Sequence, residues 1–425
     1  MKITENIWSY AGIGCSLVLA GCIAGVLGYS PVFLSLLALN ILLIVLNRQG
    51  FGAKSGAIVR TLVGCVFIFS GYVKGVDPLG TQFIIHDYLE AYQMPWLVAL
   101  ALPLSFVLNL VEFCIGCLLV CNVWTKWTTW LAALMMAFFT VVTFFDAIAN
   151  PVPDCGCFGE ALILTNWQTF YKNLVLDALV LALVFALPKL HKGFCCKVQA
   201  GIAAGIVLLF LGFEIYNYRH LPVSNFLGWK DGRRMLVENP EPVRYYLTYR
   251  DKETGALQEY RDKDIPFADT AWNNRWEFVS RRDEDPNPRI IEVSLLERMD
   301  DEDGGYDVTD AVIGREGLHF LVIVYDWEKA SEKTLARIWE KLAEAGDLGY
   351  GYDLLVATDS ETPVSDMEAF KEKTGDAELT YYFGDDTGLK SMIRANPGVI
   401  LMDGPVVVKR WNGRDFPDLK SIKTE

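Results

Sequence analysis

Two thiols one residue apart, Cys155 and Cys157 in Asp154-Cys-Gly-Cys-Phe-Gly159, are the residues of this 425-residue chain best placed for chemistry. They can bond to each other only through a tight turn, which Gly156 permits because glycine reaches backbone angles closed to other residues. A bridge of that size is strained, and a strained disulfide is an oxidising one. Three readings are open: a redox-active pair, a static disulfide, or free thiols that ligate a metal, although structural zinc takes four ligands rather than two. Other candidate groups sit in apolar surroundings. Glu112, with Asn109 one turn earlier, and Asp177 fall inside long apolar runs, where an ionisable side chain is costly and points to function by default. Lys74 and Asp77 lie one turn apart and read first as a structural ion pair.

The elements that position these groups follow from hydropathy and charge. Residues 1 to 217 hold ten basic and ten acidic side chains, and the remainder carries the whole formal net charge of −14. A neutral apolar half followed by an acidic polar half reads as a membrane domain joined to a soluble domain. All 10 cysteines belong to the first half. A spanning helix takes roughly 20 mostly apolar residues, and seven segments qualify, at about 7–28, 31–47, 57–76, 96–121, 127–148, 171–188 and 199–217. Basic residues collect in alternate loops: Arg48, Lys54 and Arg60, then Lys126, then Lys189, Lys192 and Lys197. By the positive-inside rule those loops and the N-terminus are cytoplasmic, so the acidic domain and the Cys155 to Cys157 loop face an oxidising exterior. Leu19-Ala20-Gly21-Cys22 matches a lipoprotein cleavage pattern, but the apolar run continues past Cys22, which favours an uncleaved helix. The remaining thiols supply no second dithiol on the outer side: Cys114, Cys117 and Cys121 share a helix face deep in the fourth segment, Cys195 and Cys196 fall in a cytoplasmic loop, Cys65 is near mid-membrane and only Cys22 approaches the outer face, so the exchange partner is expected to be another protein.

The polar half divides again. Residues 221–288 contain a strand and turn pattern around Glu253-Thr254-Gly255 and form a β-rich connector. From 289 to 425 the order is clearer: strand His319 to Tyr325, helix Ser331 to Ala345, strand Tyr352 to Ala357, helix Pro363 to Lys373, strand Leu379 to Phe383, helix Gly388 to Ala395, and a closing hairpin turned at Asp403-Gly404. Strands alternating with helices and finished by a hairpin make an α/β sandwich. This region resembles the thioredoxin-like superfamily, in the strand ending at Asp326-Trp327 and in Pro397, which stands where the family has its cis-proline. A redox-active member would carry Trp-Cys-x-x-Cys; here the chain reads Trp327-Glu-Lys-Ala-Ser331, and without a thiolate it cannot exchange disulfides.

The membrane half also carries a resemblance. Arg60 to Pro78, with Ser70-Gly71, Lys74 and Asp77-Pro78, is similar to the opening helix of DoxX-family membrane proteins, and Asp154 to Gly159 followed by Asn166-Trp167 and Asn173 is similar to the MauE branch of that group. The resemblance implies a four-helix core within 51–220, preceded by an additional hairpin at 1–50, and chemistry of the quinone-linked or thiol redox kind. Glu112 then reads either as a proton acceptor in quinone chemistry or as a protonated, hydrogen-bonded acid of the bundle. Lys74, Asp77, Glu112 and Asp177 are the candidates for supporting or quinone-proximal roles, and no metal site is expected.

The expected protein is a multi-pass helical bundle of a bacterial cytoplasmic membrane, N-terminus inside, carrying a periplasmic thioredoxin-like domain. Its expected function is thiol-disulfide redox chemistry at Cys155 and Cys157, with a quinone as electron sink and an extracytoplasmic client or thiol carrier as partner. The competing reading is a non-catalytic membrane scaffold with a structural Cys-Gly-Cys element. A transporter would need more intramembrane charge, and the absence of a basic patch excludes a nucleic-acid partner.

Overall fold

The computed structural model describes residues 41, 52–152, 158–190, 193–239, 241–284, 286–287, 293–297, 306–357 and 379–422. The chain divides into two compact units, Met1–Leu227 and Gly228–Glu425. The first is helical: α1 (Ala53–Val76), α2 (Pro78–Ala91), α3 (Ala101–Val120), α4 (Thr125–Ala149), α5 (Asn166–Ala186) and α6 (Cys196–Arg219). Five stretches among the described residues are long and apolar enough to cross a membrane: α1, α3 with the turn that leads into it (Pro95–Val120), α4, α5 with its trailing turn (Asn166–Lys189), and α6. The two earlier expected spans, 7–28 and 31–47, and the Leu19 to Cys22 motif lie outside the described residues.

Helices α1, α3, α4 and α5 share one apolar core, in which Val59, Val63 and Phe67 of α1 meet Ile115 and Leu119 of α3, Ala132 and Met136 of α4, and Leu179 and Leu183 of α5. Small residues set the tightest contact. A Cβ on Gly71 would lie 2.6 Å from the backbone nitrogen of Phe113, and one on Gly116 would lie 2.5 Å from that of Ile68. The backbones of α1 and α3 therefore touch, as small-residue seams allow between membrane helices, where van der Waals contact replaces the hydrophobic drive. The region between the third and fourth expected segments is not a plain loop. Asp77 caps α2, accepting from the Gly80 N–H at 2.8 Å, and Pro78 occupies the first helical position. That is where proline's missing donor costs nothing.

The second unit begins with a three-stranded antiparallel sheet, β1 (Arg244–Asp251), β2 (Leu257–Arg261) and β3 (Trp276–Glu284), in the order β2-β1-β3, with a short helix α7 (Thr270–Arg275) before β3. The hairpin from β1 to β2 turns through Gly255 at φ +72°. Asp251 is held at 2.6 Å by Arg275, whose hydrogen bond keeps the carboxyl well below the usual carboxylate range.

A seven-stranded sheet follows, built from β4 (Leu295–Glu297), β5 (Tyr306–Asp307), β6 (Leu318–Val324), β7 (Gly351–Ala357), β8 (Tyr381–Gly384), β9 (Gly398–Asp403) and β10 (Val406–Asn412). Its order is β10-β9-β6-β7-β8-β4-β5. β6 runs parallel to β7 and antiparallel to β9, and β9 and β10 form the expected hairpin. Helices α8 (Thr309–Ile313), α9 (Glu332–Leu342) and α10 (Asp386–Met392) complete the unit. On α9, Leu335, Ile338, Trp339 and Leu342 repeat at helical spacing and bury against Phe320, Val322 and Val324, alternate residues of β6. The expected helix 363–373 lies outside the described residues. β4 and β5, of three and two residues, were not expected from sequence.

Replacing Gly71 with Val should lower the detergent unfolding temperature of the helical unit, since a side chain there must push α1 off α3, at a cost of about 1–3 kcal/mol. Gly205→Ala, where an added Cβ meets nothing within 4 Å, should leave it unchanged or raise it. For the three-stranded sheet, the depressed Asp251 carboxyl contributes stability that is present above its unfolded value of about 3.9 and is lost as pH falls towards the folded value. Acid titration monitored by tryptophan fluorescence should show this loss in the wild type and a weaker one in Arg275→Leu.

Candidate functional site

The close approach of α1 to α3 has a chemical result. Gly71 rests on Phe113, the residue after Glu112, and one turn further along α1 the Lys74 side chain turns inward onto that acid. Lys74 Nζ lies 2.6 Å from Glu112 Oε1, and the two are 5% and 1% exposed. Ser70 Oγ donates to the other carboxylate oxygen at 2.7 Å, and Asn109 Nδ2 donates to the Lys74 carbonyl at 3.2 Å. The expected pairing of Lys74 with Asp77 is therefore incorrect: Asp77 is engaged by the N-terminus of α2, and Lys74 is paired 38 residues away with Glu112. A buried charge is tolerated when an opposite charge and a hydrogen bond meet it together, and α1 can supply both at Ser70 and Lys74.

This pair lines a small pocket. Its other polar groups are Lys172 and Asn173 of α5, and its apolar walls include Phe67, Met136, Phe139 and Phe158. Lys74 Nζ stands 5.4 Å from the Phe139 ring centre, and Lys172 Nζ stands 4.4 Å from that of Phe158. Asn173 Nδ2 donates to Thr143 Oγ1 at 3.1 Å, fixing α5 to α4 at the same level. Ser70 lies six residues before the end of α1 and Lys172 six residues after the start of α5, so both sit roughly 9 Å along their helices from those ends at 1.5 Å per residue. The start of α5 follows Cys157 by nine residues in the sequence. Phe158, a pocket wall, is the residue that follows Cys157.

Cys155 and Cys157 themselves lie outside the described residues. Asp177 does not line the pocket; it accepts from Thr140 Oγ1 at 2.7 Å and ties α5 to α4. Among the described residues no group of three or more metal-ligating side chains gathers. Cys114 and Cys117 are half-buried, and Cys65, Cys121, Cys195 and Cys196 are exposed, all as free thiols. Three groups escaped the sequence reading. Asp146 is fully buried on α4 and accepts from the Tyr88 hydroxyl at 2.6 Å. Glu214 is fully buried on α6. Lys172 was read only as a loop-edge charge. A lone acid inside an apolar run was the available signal for the first two, the same signal that marked Glu112 and Asp177.

In the second unit, the Asn396–Pro397 peptide bond is cis. Asn396 Nδ2 donates at 2.5 Å to the carbonyl of Asp326, so the Pro397 segment and the end of β6 come together. Ser331 caps α9, its Oγ accepting from the Thr334 N–H at 3.4 Å, and Lys329 pairs with Asp326 at 2.6 Å. At the other end of β6, burial pushes the His319 ring down from its ordinary pKa and the Asp353 carboxyl up, with Arg315 at 2.7 Å opposing the second shift.

These observations define a multi-pass helical membrane protein with a charged pocket, continued by an α/β unit. The family model described as methylamine utilisation protein MauE matches residues 52–188, from the start of α1 to the end of α5. No curated protein and no solved structure matches the chain.

Removing one member of the buried pair should cost about 3–5 kcal/mol, because the partner charge is left unmet. Lys74→Met and Glu112→Met should each lower the unfolding midpoint in detergent, and the double variant should recover most of the loss, which a double-mutant cycle measures directly.

Proposed function

We propose that the chain is a membrane thiol-disulfide redox protein of the bacterial envelope, in which Cys155 and Cys157 cycle between dithiol and disulfide at the outer face of the cytoplasmic membrane. The observation that carries this reading is that the residue after Cys157 walls a pocket holding Lys74, Glu112 and Ser70. In the exchange step, a client dithiol is oxidised to a disulfide while the Cys155 to Cys157 disulfide is reduced to two thiols, through a mixed disulfide.

The pocket residues suit a quinone: aromatic walls for the ring, with cations and a hydroxyl within the same space for its oxygens. When bound there, a quinone supplies a two-electron, two-proton sink for the reduced thiols. Lys74 and Lys172 would attract an oxygen that gains negative charge, Ser70 and Lys74 are the donors and Glu112 the acceptor within hydrogen-bond reach of one another, and Phe67, Phe139 and Phe158 would exclude water, which strengthens each of these interactions.

The second unit is read as a thioredoxin-like domain in the periplasm, the N-terminus being cytoplasmic. Its strand sequence β10-β9-β6-β7, with a parallel central pair and a closing hairpin, and the cis peptide before Pro397 support that reading. Lacking thiols, it presents a client or a separate thiol carrier to the bundle. A scaffold role is the second reading, supported by Ser331 capping α9 at the position where a redox-active member of the superfamily has a cysteine.

Trapping thiols with a mass-adding maleimide in growing cells tests the two. A redox-active pair is found partly oxidised, shifts towards reduced when quinone is depleted, and its Cys155→Ala/Cys157→Ala variant loses activity at unchanged abundance. A pair locked in one state and unmoved by depletion overturns the quinone-linked reading and leaves the scaffold.

A further inference from the structure

Helix α6 lies beyond the matched residues 52–188, and the chain leaves the bundle through it. Most of α6 stays exposed; its buried residues are Ala203, Phe210, Glu214 and Asn217, the last three at spacings of four and three on one face. Phe210 stacks on Phe113 of α3 with ring centres 4.0 Å apart, and Phe213 stacks on Tyr72 of α1 at 5.7 Å. A Cβ on Gly75 would lie 2.5 Å from the Phe210 ring, so the helices meet without slack. Glu214 is enclosed in this contact at 0% exposure, and neither of its carboxyl oxygens has a hydrogen-bond partner. Beside it lies Asn109, whose Nδ2 donates to the Lys74 carbonyl while its Oδ1 is likewise buried without a partner.

The second N–H of Asn109 Nδ2 is the donor that faces Glu214, and one amide N–H cannot satisfy three buried acceptors. One proton resolves all of this: as the O–H of Glu214 it donates to Asn109 Oδ1 and removes the charge that burial penalises. We propose that Glu214 and Asn109 form a proton-binding site which, when filled, latches α6 onto α3 and, through the bond from Asn109 to Lys74, onto the turn of α1 that carries the pocket lysine. A divalent metal ion would want six or more oxygens, against three here. The proposal does not rest on the redox reading, since neither Glu214 nor Asn109 is a thiol or lines the pocket.

The titratable groups on the elements packed around Glu214 are few. α3 contributes Cys114, Cys117 and Glu112, and Glu112 is paired with Lys74 of α1. α1 also brings Tyr72, stacked on Phe213. α2 brings His86, between Asp87 and Glu90 at 3.6 and 3.5 Å, and Tyr88, bonded to Asp146. The last turn of α6 itself carries Tyr216, Tyr218 and Arg219, followed by His220.

The test uses the full-length protein in detergent micelles, following helical circular dichroism through a reversible SDS titration at several pH values. A proton held in the folded state and released on unfolding makes the unfolding constant rise tenfold per pH unit above about 4.3, until the folded site itself ionises. Glu214→Gln keeps a donor for Asn109 Oδ1 and has no proton to lose, so the ratio of wild-type to variant unfolding constants should grow tenfold per unit. Superimposable profiles overturn the proposal. Stabilisation of the wild type alone by sodium, at fixed pH and ionic strength, also overturns it by showing a metal cation in the site. Should Glu214→Gln fail to fold, infrared spectra of wild-type protein labelled with 13C-glutamate decide: a shifted band of a protonated carboxylic acid at neutral pH is expected, and its absence overturns the assignment.

Discussion

The membrane unit is organised by one interaction, the buried ion pair of Lys74 and Glu112. Two charges taken out of water repay their desolvation only if they meet closely and their remaining hydrogen-bonding capacity is filled. The sequence supplies those conditions locally. Gly64, Gly71 and Gly116 bring α1 and α3 to backbone contact, Ser70 fills the second carboxylate oxygen, and Asn109 binds the carbonyl of the turn that carries Lys74. Helices α4 and α5 then close the fourth side, and the space they leave around the pair becomes the pocket. The seam of glycines, the polar triad and the cavity are consequences of a single requirement.

That requirement also explains why the pocket is chemically unusual for a lipid-embedded bundle. Aromatic rings from α1 and α4, with Phe158 ahead of α5, stand beside two lysines and an acid. Phe158 links this space to the Cys155 and Cys157 stretch through the chain itself. The second unit contributes a different capability. Its sheet is filled on both faces at β6, its α9 is capped by Ser331, and its Pro397 segment is bonded to the end of β6, all without a thiol.

Much of this was legible in the sequence, for reasons tied to particular elements. The five described spans follow from long continuous apolar runs, β6, β7, β9 and β10 from short apolar runs with the Asp403-Gly404 turn, and α9 from a helical pattern. α2 was not legible because Pro78 to Ala91 mixes polar and apolar residues without a strong period; only the Asp77-Pro78 start signal marked it. The partner of Lys74 was not legible because the pairing is tertiary: Asp77 is close in sequence, whereas Glu112 becomes close only when Gly71 lets α1 reach Phe113. Asp146 and Glu214 each announced themselves as one acid in an apolar run, but their burial depends on Tyr88 and on the packing face of α6, which no local pattern encodes. Short β4 and β5 exist only as additions to the edge of a sheet that other strands define.

The most direct measurement is a single-turnover reaction: full-length protein reduced with dithiothreitol, freed of reductant, and mixed with a short-chain quinone while the quinone absorbance is recorded. The account predicts that each chain reduces one equivalent of quinone, that the same chain then holds a Cys155 to Cys157 disulfide by mass, and that the doubly Ala-substituted chain reduces none. Loss of quinone absorbance that is equal in both proteins, or absent in both, would contradict it.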